Sequence, residues 1–305
     1  MTGGLRRLVS GLLLPLSALL PGLGAVAVHG EDATTGPGAV PPPRQEVDAG
    51  PDFVAPPRQE VESMAARKLG EALEVSLVTI GQGDVVWERF GHNAILFRNL
   101  ETGEEIAYHW GVFNFDQVDF VPRLIRGTML YSMAPQNFRA SVEEYRRLGR
   151  PVWVQRLALT PAQRFALLSL VELNYRPENR DYLYDYYRDN CSTRVRDMLD
   201  RVLDGRLQDR FAADTTDTTY RWHTRRVLRE MPLYYVGIQW VLGPYADRPI
   251  TRWEEMFLPR AVMEGLREID VPDGRGGSRP LVSAEEGLFE SSRSGPPASP
   301  PFAFP

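Results

Sequence analysis

The chain holds a single cysteine, Cys191, in the stretch YRDNCSTRVRDML at residues 187–199, and four histidines, at positions 29, 92, 109 and 223. A cysteine does acyl chemistry when its thiol can become a thiolate and a base stands within reach of its proton. After Asn190 the apolar residues Val195, Met198, Leu199, Val202 and Leu203 recur at helical spacing and define a buried face. Cys191 falls on that face, four residues before Val195, in the first turn. Two readings share this position. Free cysteine packs as a small buried hydrophobe. A thiol at a helix N-terminus also feels the positive end of the macrodipole, which favours thiolate and makes a nucleophile.

The candidate bases narrow quickly. His29 lies in a Pro- and Gly-rich stretch and is set aside, and His223, in YRWHTRR at 220–226, reads as a surface or packing residue among arginines. His92 follows Gly91 at the start of one strand pattern and His109 lies on the next. If the loop at Thr102-Gly103 has two residues, an odd and an even position pair across the hairpin, and His92 and His109 share one face. A histidine base and a polar orienter on adjacent strands, facing a cysteine at a helix start, is an arrangement that Cys-His acyl chemistry uses.

The elements that must hold these residues can be read from the pattern around them. Strands are expected over 74–80, 92–97 and 105–110, broken by Gly81-Gln82-Gly83-Asp84 and Glu101-Thr102-Gly103, and again over 151–159. The last of these leads into Thr160-Pro161-Ala162-Gln163, a capping box with proline at the first helical position. Helices are expected over 162–175, 190–203, 220–242 in pieces, and 252–269. Strands first and helices after, without repeats or βαβ alternation, make an α+β domain over 66–290.

The two ends differ from that domain. Arg6-Arg7, the apolar run LVSGLLLPLSALLPGLGAVAV and Ala25-Val26-Ala27 are the three parts of a signal peptide, expected at 1–27, with an uncleaved anchor as the alternative. No cysteine lies near the cleavage point, so a lipoprotein is not expected. Residues 28–65, in which PPRQEV occurs twice, read as a disordered Pro/Gly-rich spacer, and 291–305 as a tail of the same kind. One cysteine cannot form an internal disulfide, so an exported chain carries its thiol free.

Several classes are set aside. A net charge of −5 gives no sign of a nucleic-acid partner. His92, His109 and Cys191 would make a zinc set only without any local CxxC or HExxH motif, so no metal and no cofactor are expected. Gly81-Gln82-Gly83-Asp84 lacks the lysine of a phosphate loop, and DTTDTT at 214–219 carries no mechanism. Tyr182, Tyr184, Tyr186 and Tyr187 line either a cleft or the core. The apolar run at 231–242 is too short to span a bilayer and reads as a buried core helix, or as the wall of an acyl-chain groove.

Five stretches together carry a resemblance. They are Trp87-x-x-Phe90-Gly91-His92, Gly111-Val-Phe113-Asn-Phe115, Arg180-x-Tyr182-x-Tyr184-Asp185, Asp189-Asn190-Cys191-Ser-Thr193-Arg194-Val-Arg196-Asp197 and Phe257-Leu258-Pro259. This set resembles the Lnb N-terminal periplasmic domain family over roughly 75–266. Histidine first and an Asn-Cys helix later is also the order in circularly permuted papain-like proteins, of the lecithin:retinol acyltransferase and NlpC/P60 types, which form thioesters. The implied fold is an antiparallel sheet packed against helices, and the implied setting is the bacterial envelope. The full-length namesake is associated with N-acylation of lipoproteins and carries a membrane domain after the periplasmic part. This chain ends in a Pro/Ser tail with no second apolar span, which counts against acyl transfer to lipoproteins here.

The resemblance implies that Cys191 attacks a carbonyl, that His92 accepts its proton and returns it to the leaving group, and that His109 orients the imidazole. Asn190, or a main-chain N–H at the helix start, would supply an oxyanion donor. Arg194 would hold an anionic group of the substrate, or else form a salt bridge with Asp185 or Asp189, and Asp197 reads as structural. The expected partners are a lipid acyl donor, a lipoprotein or a peptidoglycan peptide, together with peripheral membrane contact. The alternative is a non-catalytic envelope binding module of the same fold.

Overall fold

A computed structural model describes residues 64–113 and 129–289 together with 291, 295 and 297–300, all within the unit Asp48–Pro305. The leader, all but the last two residues of the spacer, Phe115 and most of the tail lie outside the described residues. The strands are β1 (Leu73–Ile80), β2 (His92–Asn99), β3 (Glu105–Phe113), β4 (Leu130–Asn137), β5 (Val152–Leu157), β6 (Asp181–Leu183), β7 (Thr215–Thr219), β8 (Pro249–Thr251), β9 (Asp270–Pro272), β10 (Ser278–Pro280) and β11 (Val282–Gly287). The helices are α1 (Met64–Glu71), α2 (Phe138–Arg147), α3 (Pro161–Tyr175), α4 (Cys191–Val202), α5 (Arg206–Phe211), α6 (Tyr220–Val227), α7 (Pro232–Val241), α8 (Arg252–Glu255) and α9 (Pro259–Leu266).

Seven strands form one sheet in the order β11-β5-β1-β2-β3-β4-β6, antiparallel at every seam. The molecule is therefore α+β, with a sheet packed against helices. β1 lies inside the sheet between β5 and β2, and all but one of its eight residues are buried, because both faces of the sheet are covered. On one face Leu77, Ile95, Phe97 and Trp110 meet α3, α4 and α9 in the main core. On the other, Val78, Ile80, Ala94 and Leu96 meet Phe138 and Val142 of α2. The period of two sends odd residues of β2 to the α4 face and even residues to the α2 face.

The capping box at Thr160 forms as written, with proline opening α3. Strand 151–159 is trimmed to β5, and the helical pattern at 252–269 is divided into α8 and α9. Pro259 forces that division, since it sits at the first turn of α9, where a missing N–H costs nothing, and would break a continuous helix. β4, α2, β6 and β11 were not legible. β11 overturns the strands-first order, because it returns from the end of the domain to cover the β5 edge. The buried-helix reading of 231–242 also fails. In α7 no side chain is buried, and Leu233, Trp240 and Val241 are each more than four-fifths exposed. The core under α3, α4 and α9 is already filled, and α7 lies outside it.

Candidate functional site

Asn190 is the N-cap of α4, and its side chain is fully used in that role. Oδ1 accepts the N–H groups of Ser192 and Thr193 at 2.8 and 2.9 Å, while Nδ2 donates to the carbonyls of Tyr186 and Phe257, both at 2.9 Å. The Thr193 hydroxyl accepts the Asn190 N–H at 2.8 Å and completes a capping box. This lattice fixes Cys191 at the first residue of the helix, buried at 6% exposure. As an oxyanion donor Asn190 would have to release a buried carbonyl, so main-chain N–H groups are the available donors.

The sulfur lies where β3 parts from β2. Asn99 donates its N–H to Glu104 across that seam, and every second peptide group points the same way, so the N–H of Asn93 also faces β3. Pairing with β3 nonetheless stops at Ala94 and His109. Beyond His109 the β3 register shifts between Trp110 and Val112, and Gly111 takes φ +87°, a left-handed conformation suited to glycine. The bend leaves the Asn93 N–H to point at Cys191 Sγ, joined by the N–H groups of Ser192 and of Cys191 itself. Tyr184 lies against Gly111, where a Cβ would meet its ring at 3.4 Å.

His92 and His109 share one face, as the register argument requires. Four residues, 100–103, rather than two, separate the hydrogen-bonded Asn99 and Glu104, and any even separation keeps odd paired with even, here Ala94 with His109. His92 Nε2 and His109 Nδ1 are 3.0 Å apart, in rings stacked at 5.2 Å. His109 is 3% exposed, and its Nε2 has no hydrogen-bond partner among the described residues. Burial holds the His109 imidazole down to about 4, and holds His92 well below its usual value, with His109 and the Arg150 guanidinium adding to the effect. Both rings are neutral at pH 7. One ring then donates to the other; if His92 is the donor, its Nδ1 carries the free lone pair.

The histidines lie on the α2 face, whereas α4 covers the opposite face. Tyr145, from α2, is raised mainly by burial and in part by the charge that Cys191 would carry, as are Tyr182, Tyr184 and Tyr186 around the helix start. Among the described residues no hydrogen bond joins the sulfur to either histidine; its side-chain neighbour is the Ser192 hydroxyl at 3.9 Å. Burial pushes the Cys191 thiol up, and the three N–H groups with the Ser192 hydroxyl oppose that shift. At rest the thiol is thus protonated and both imidazoles are neutral, rather than the thiolate expected from helix position alone.

Arg194 takes the salt-bridge reading. Its guanidinium makes a two-pronged bond to Asp189, at 2.5 and 2.7 Å, and stacks over Tyr182 at 3.6 Å. Asp197 bonds Arg196 at 2.7 Å. His223 is buried at 2% exposure, with Thr218 Oγ1 at 2.9 Å and Glu255 at 3.1 Å from Nε2, so it packs rather than lying on the surface. Among the described residues no group of three or more His, Cys, Asp or Glu side chains is placed to hold a metal ion.

Sequence reasoning missed Asn93, Thr79, Glu88 and Arg150. Asn93 is fully buried; it accepts from Thr79 Oγ1 at 3.0 Å and donates to the Pro259 carbonyl at 3.2 Å and Ser192 Oγ at 3.5 Å. The Phe257-Leu258-Pro259 turn therefore ties both Asn190 and Asn93. The available signal was a polar residue at an inward position of an apolar strand, two before Ile95. Arg150 pairs with Glu88 at 3.0 Å and donates to the Gly81 carbonyl at 3.1 Å, and nothing local marks it in the sequence. A cavity of about 590 Å³ opens beside Gly91, between Thr79, Trp153, Pro259 and Phe289; Cys191 and the two histidines are not in its wall.

Compared with known proteins, residues 63–230 match a family model described as the Lnb N-terminal periplasmic domain. The match includes His92, His109 and Cys191 and stops before the Phe257 turn. No curated protein and no solved structure matches the chain.

Proposed function

The chain belongs to the Lnb N-terminal periplasmic domain family, and from that premise we propose that it is an exported envelope enzyme working through a thioester at Cys191. Its core is a permuted papain-like one, with His92 as base and His109 as the residue that positions it. Two observations support this: the pairing of His92 Nε2 with His109 at 3.0 Å, and a helix-capped cysteine whose sulfur receives the N–H of Asn93, the residue after His92. With Nε2 held, Nδ1 is the nitrogen left for proton transfer.

In the first step the Cys191 thiol passes its proton to His92 as the sulfur bonds to an acyl carbon. The carbonyl oxygen becomes an oxyanion, stabilised by main-chain N–H groups at the start of α4. The C–N or C–O bond to the leaving group then breaks, and that group takes the proton from His92. Water or an amine acceptor attacks the thioester in turn, gives its proton to His92 and regenerates the thiol. Lipid acyl groups and peptidoglycan stem peptides are the two substrate classes with the required carbonyl.

Purified full-length protein incubated with p-nitrophenyl esters tests this. A hydroxylamine-labile acyl adduct on Cys191 is expected, read by intact mass, absent in Cys191→Ala and formed on the order of 10²–10⁴-fold more slowly in His92→Gln. Adduct formation at the same rate with and without His92, or none at all with the thiol labelled by iodoacetamide only in denaturant, would overturn the enzyme reading. The raised thiol pKa and the missing sulfur-to-imidazole bond favour the second reading, a non-catalytic envelope module, and the second outcome would establish it.

A further inference from the structure

We propose that α7 is a lipid-docking helix, which lies in the interface of an anionic bilayer and holds the domain against the membrane. The proposal goes beyond the acyl-enzyme reading and does not depend on Cys191 doing chemistry.

The helix is inside-out. Leu233, Val236, Trp240 and Val241 are 83%, 55%, 87% and 84% exposed, and Tyr234 is 46% exposed. Positions 233, 236, 237, 240 and 241 follow helical spacing, so these residues form one stripe along the outer side. The polar groups face the protein instead. The Tyr235 hydroxyl accepts from Arg225 Nε at 2.9 Å, and Gln239 accepts from Arg221 through both its carbonyl and its side chain, at 3.0 and 3.2 Å. Arg221 also bonds the Leu242 carbonyl at 2.8 Å, and thereby fixes the end of the helix. An apolar stripe turned to solvent and tethered through its polar side marks a partner surface.

Charge and length select the partner. Residues 220–248 carry five arginines against Glu230 and Asp247, a positive segment in a chain of net charge −5. Glu230 pairs with Arg89, Asp247 with Arg221 and Arg248 with Glu254, while Arg229 is exposed at the foot of the helix. Ten residues extend about 15 Å, half of a bilayer core, so α7 cannot span and would lie flat. Among the described residues no helix is long and apolar enough to cross a membrane. Leu, Val and Trp on one side with arginines at the flanks is the composition of an interfacial helix on anionic lipid.

The surface is also continuous with the candidate site. Leu242, the residue after α7, packs against the cluster that holds Tyr220 and Phe257, as does Tyr187. Phe257 holds Asn190 through its carbonyl, and Tyr187 lies four residues before Cys191.

The test uses the full chain, so that the apolar N-terminal run is present in every variant and cancels from the comparison. Vesicles of phosphatidylglycerol and phosphatidylcholine, brominated in the acyl chains, are expected to quench the tryptophan emission of the wild type. Trp240→Phe removes most of that quenching, whereas Trp87→Phe, an exposed tryptophan elsewhere, leaves it. Leu233→Ser with Val236→Ser weakens the α7-dependent quenching by about tenfold or more, and added salt weakens it further. Equal quenching in wild type and Trp240→Phe would overturn the proposal. So would quenching unchanged on pure phosphatidylcholine, or a dimer in sedimentation that Leu233→Ser dissolves. Cys191→Ala must retain the quenching, which separates this result from the fate of the thioester reading.

Discussion

Replacing Asn190 by alanine removes four hydrogen bonds from one buried point. The two N–H groups of Ser192 and Thr193 lose their cap, a loss of about 1 kcal/mol. The carbonyls of Tyr186 and Phe257 lose their donor in a region where Asn190 itself is only 4% exposed, at about 1–2 kcal/mol each. The expected destabilisation is roughly 3–5 kcal/mol in urea unfolding, large for a single substitution. Asn190→Asp keeps the acceptor, loses both donors and adds a negative charge beside the thiol. Its second carboxylate oxygen would face the two carbonyls in a buried place, so it should be no more stable than Asn190→Ala, and the added charge should lower the rate of thiol alkylation at pH 7. A change below about 1 kcal/mol in Asn190→Ala, at unchanged m-value, would refute the claim that this side chain holds the helix start to the Phe257 turn.

His109 binds no proton in the folded state until about pH 4, whereas the unfolded chain takes one up near 6.5. The unfolded state therefore holds more protons between those values, and stability is full above pH 6.5 and falls as pH drops toward 4, by about 2–4 kcal/mol. Urea midpoints at pH 7 and pH 4.5 should show the fall, and His109→Phe should reduce it, leaving the part that the buried His92 contributes with the same sign. Gly111→Ala is expected to cost about 1–2 kcal/mol for φ +87°, plus the displacement of Tyr184 at 3.4 Å. Gly103→Ala, at φ +73° with nothing within 4 Å, costs the backbone part alone, and equal losses in the two would show that Tyr184 is not pressed against β3.

The part of the fold that was legible is the part where local chemistry and tertiary context agree. The capping box at Thr160 and the helix at Cys191 carry their own start signals, and β1 to β3 carry both apolar content and glycine turns. β4, LYSMAPQN, was not legible because its residues are mostly half-buried and a proline interrupts it. β6 has three residues and exists only by pairing with β4. In the site, the shared face of His92 and His109 followed from parity, which survived an error in loop length. Their contact and the approach of the Asn93 N–H could not be read, since both depend on where β3 bends, and Gly111 alone does not announce a bulge.

The protonated state of Cys191 bears on how an exported thiol survives. An exported chain meets an oxidising compartment, and oxidation and disulfide exchange act on the thiolate at exposed sites. At 6% exposure, with its pKa pushed up by burial, Cys191 presents little of either. The same burial depresses His92 and His109, so the pair rests uncharged and a separated ion pair is unfavourable until something supplies compensating charge or dipole. On the acyl-intermediate reading that supply is the substrate carbonyl, whose oxygen accepts the N–H groups now aimed at the sulfur. Proton transfer to His92 would then accompany attack rather than precede it. The consequence is measurable. Reaction with an acyl ester should outpace alkylation by iodoacetamide by more than free cysteine allows, and this preference should vanish in His92→Gln. A small alkylating agent that reacts as readily as the ester would show that the thiol is activated at rest, against the electrostatics of its burial.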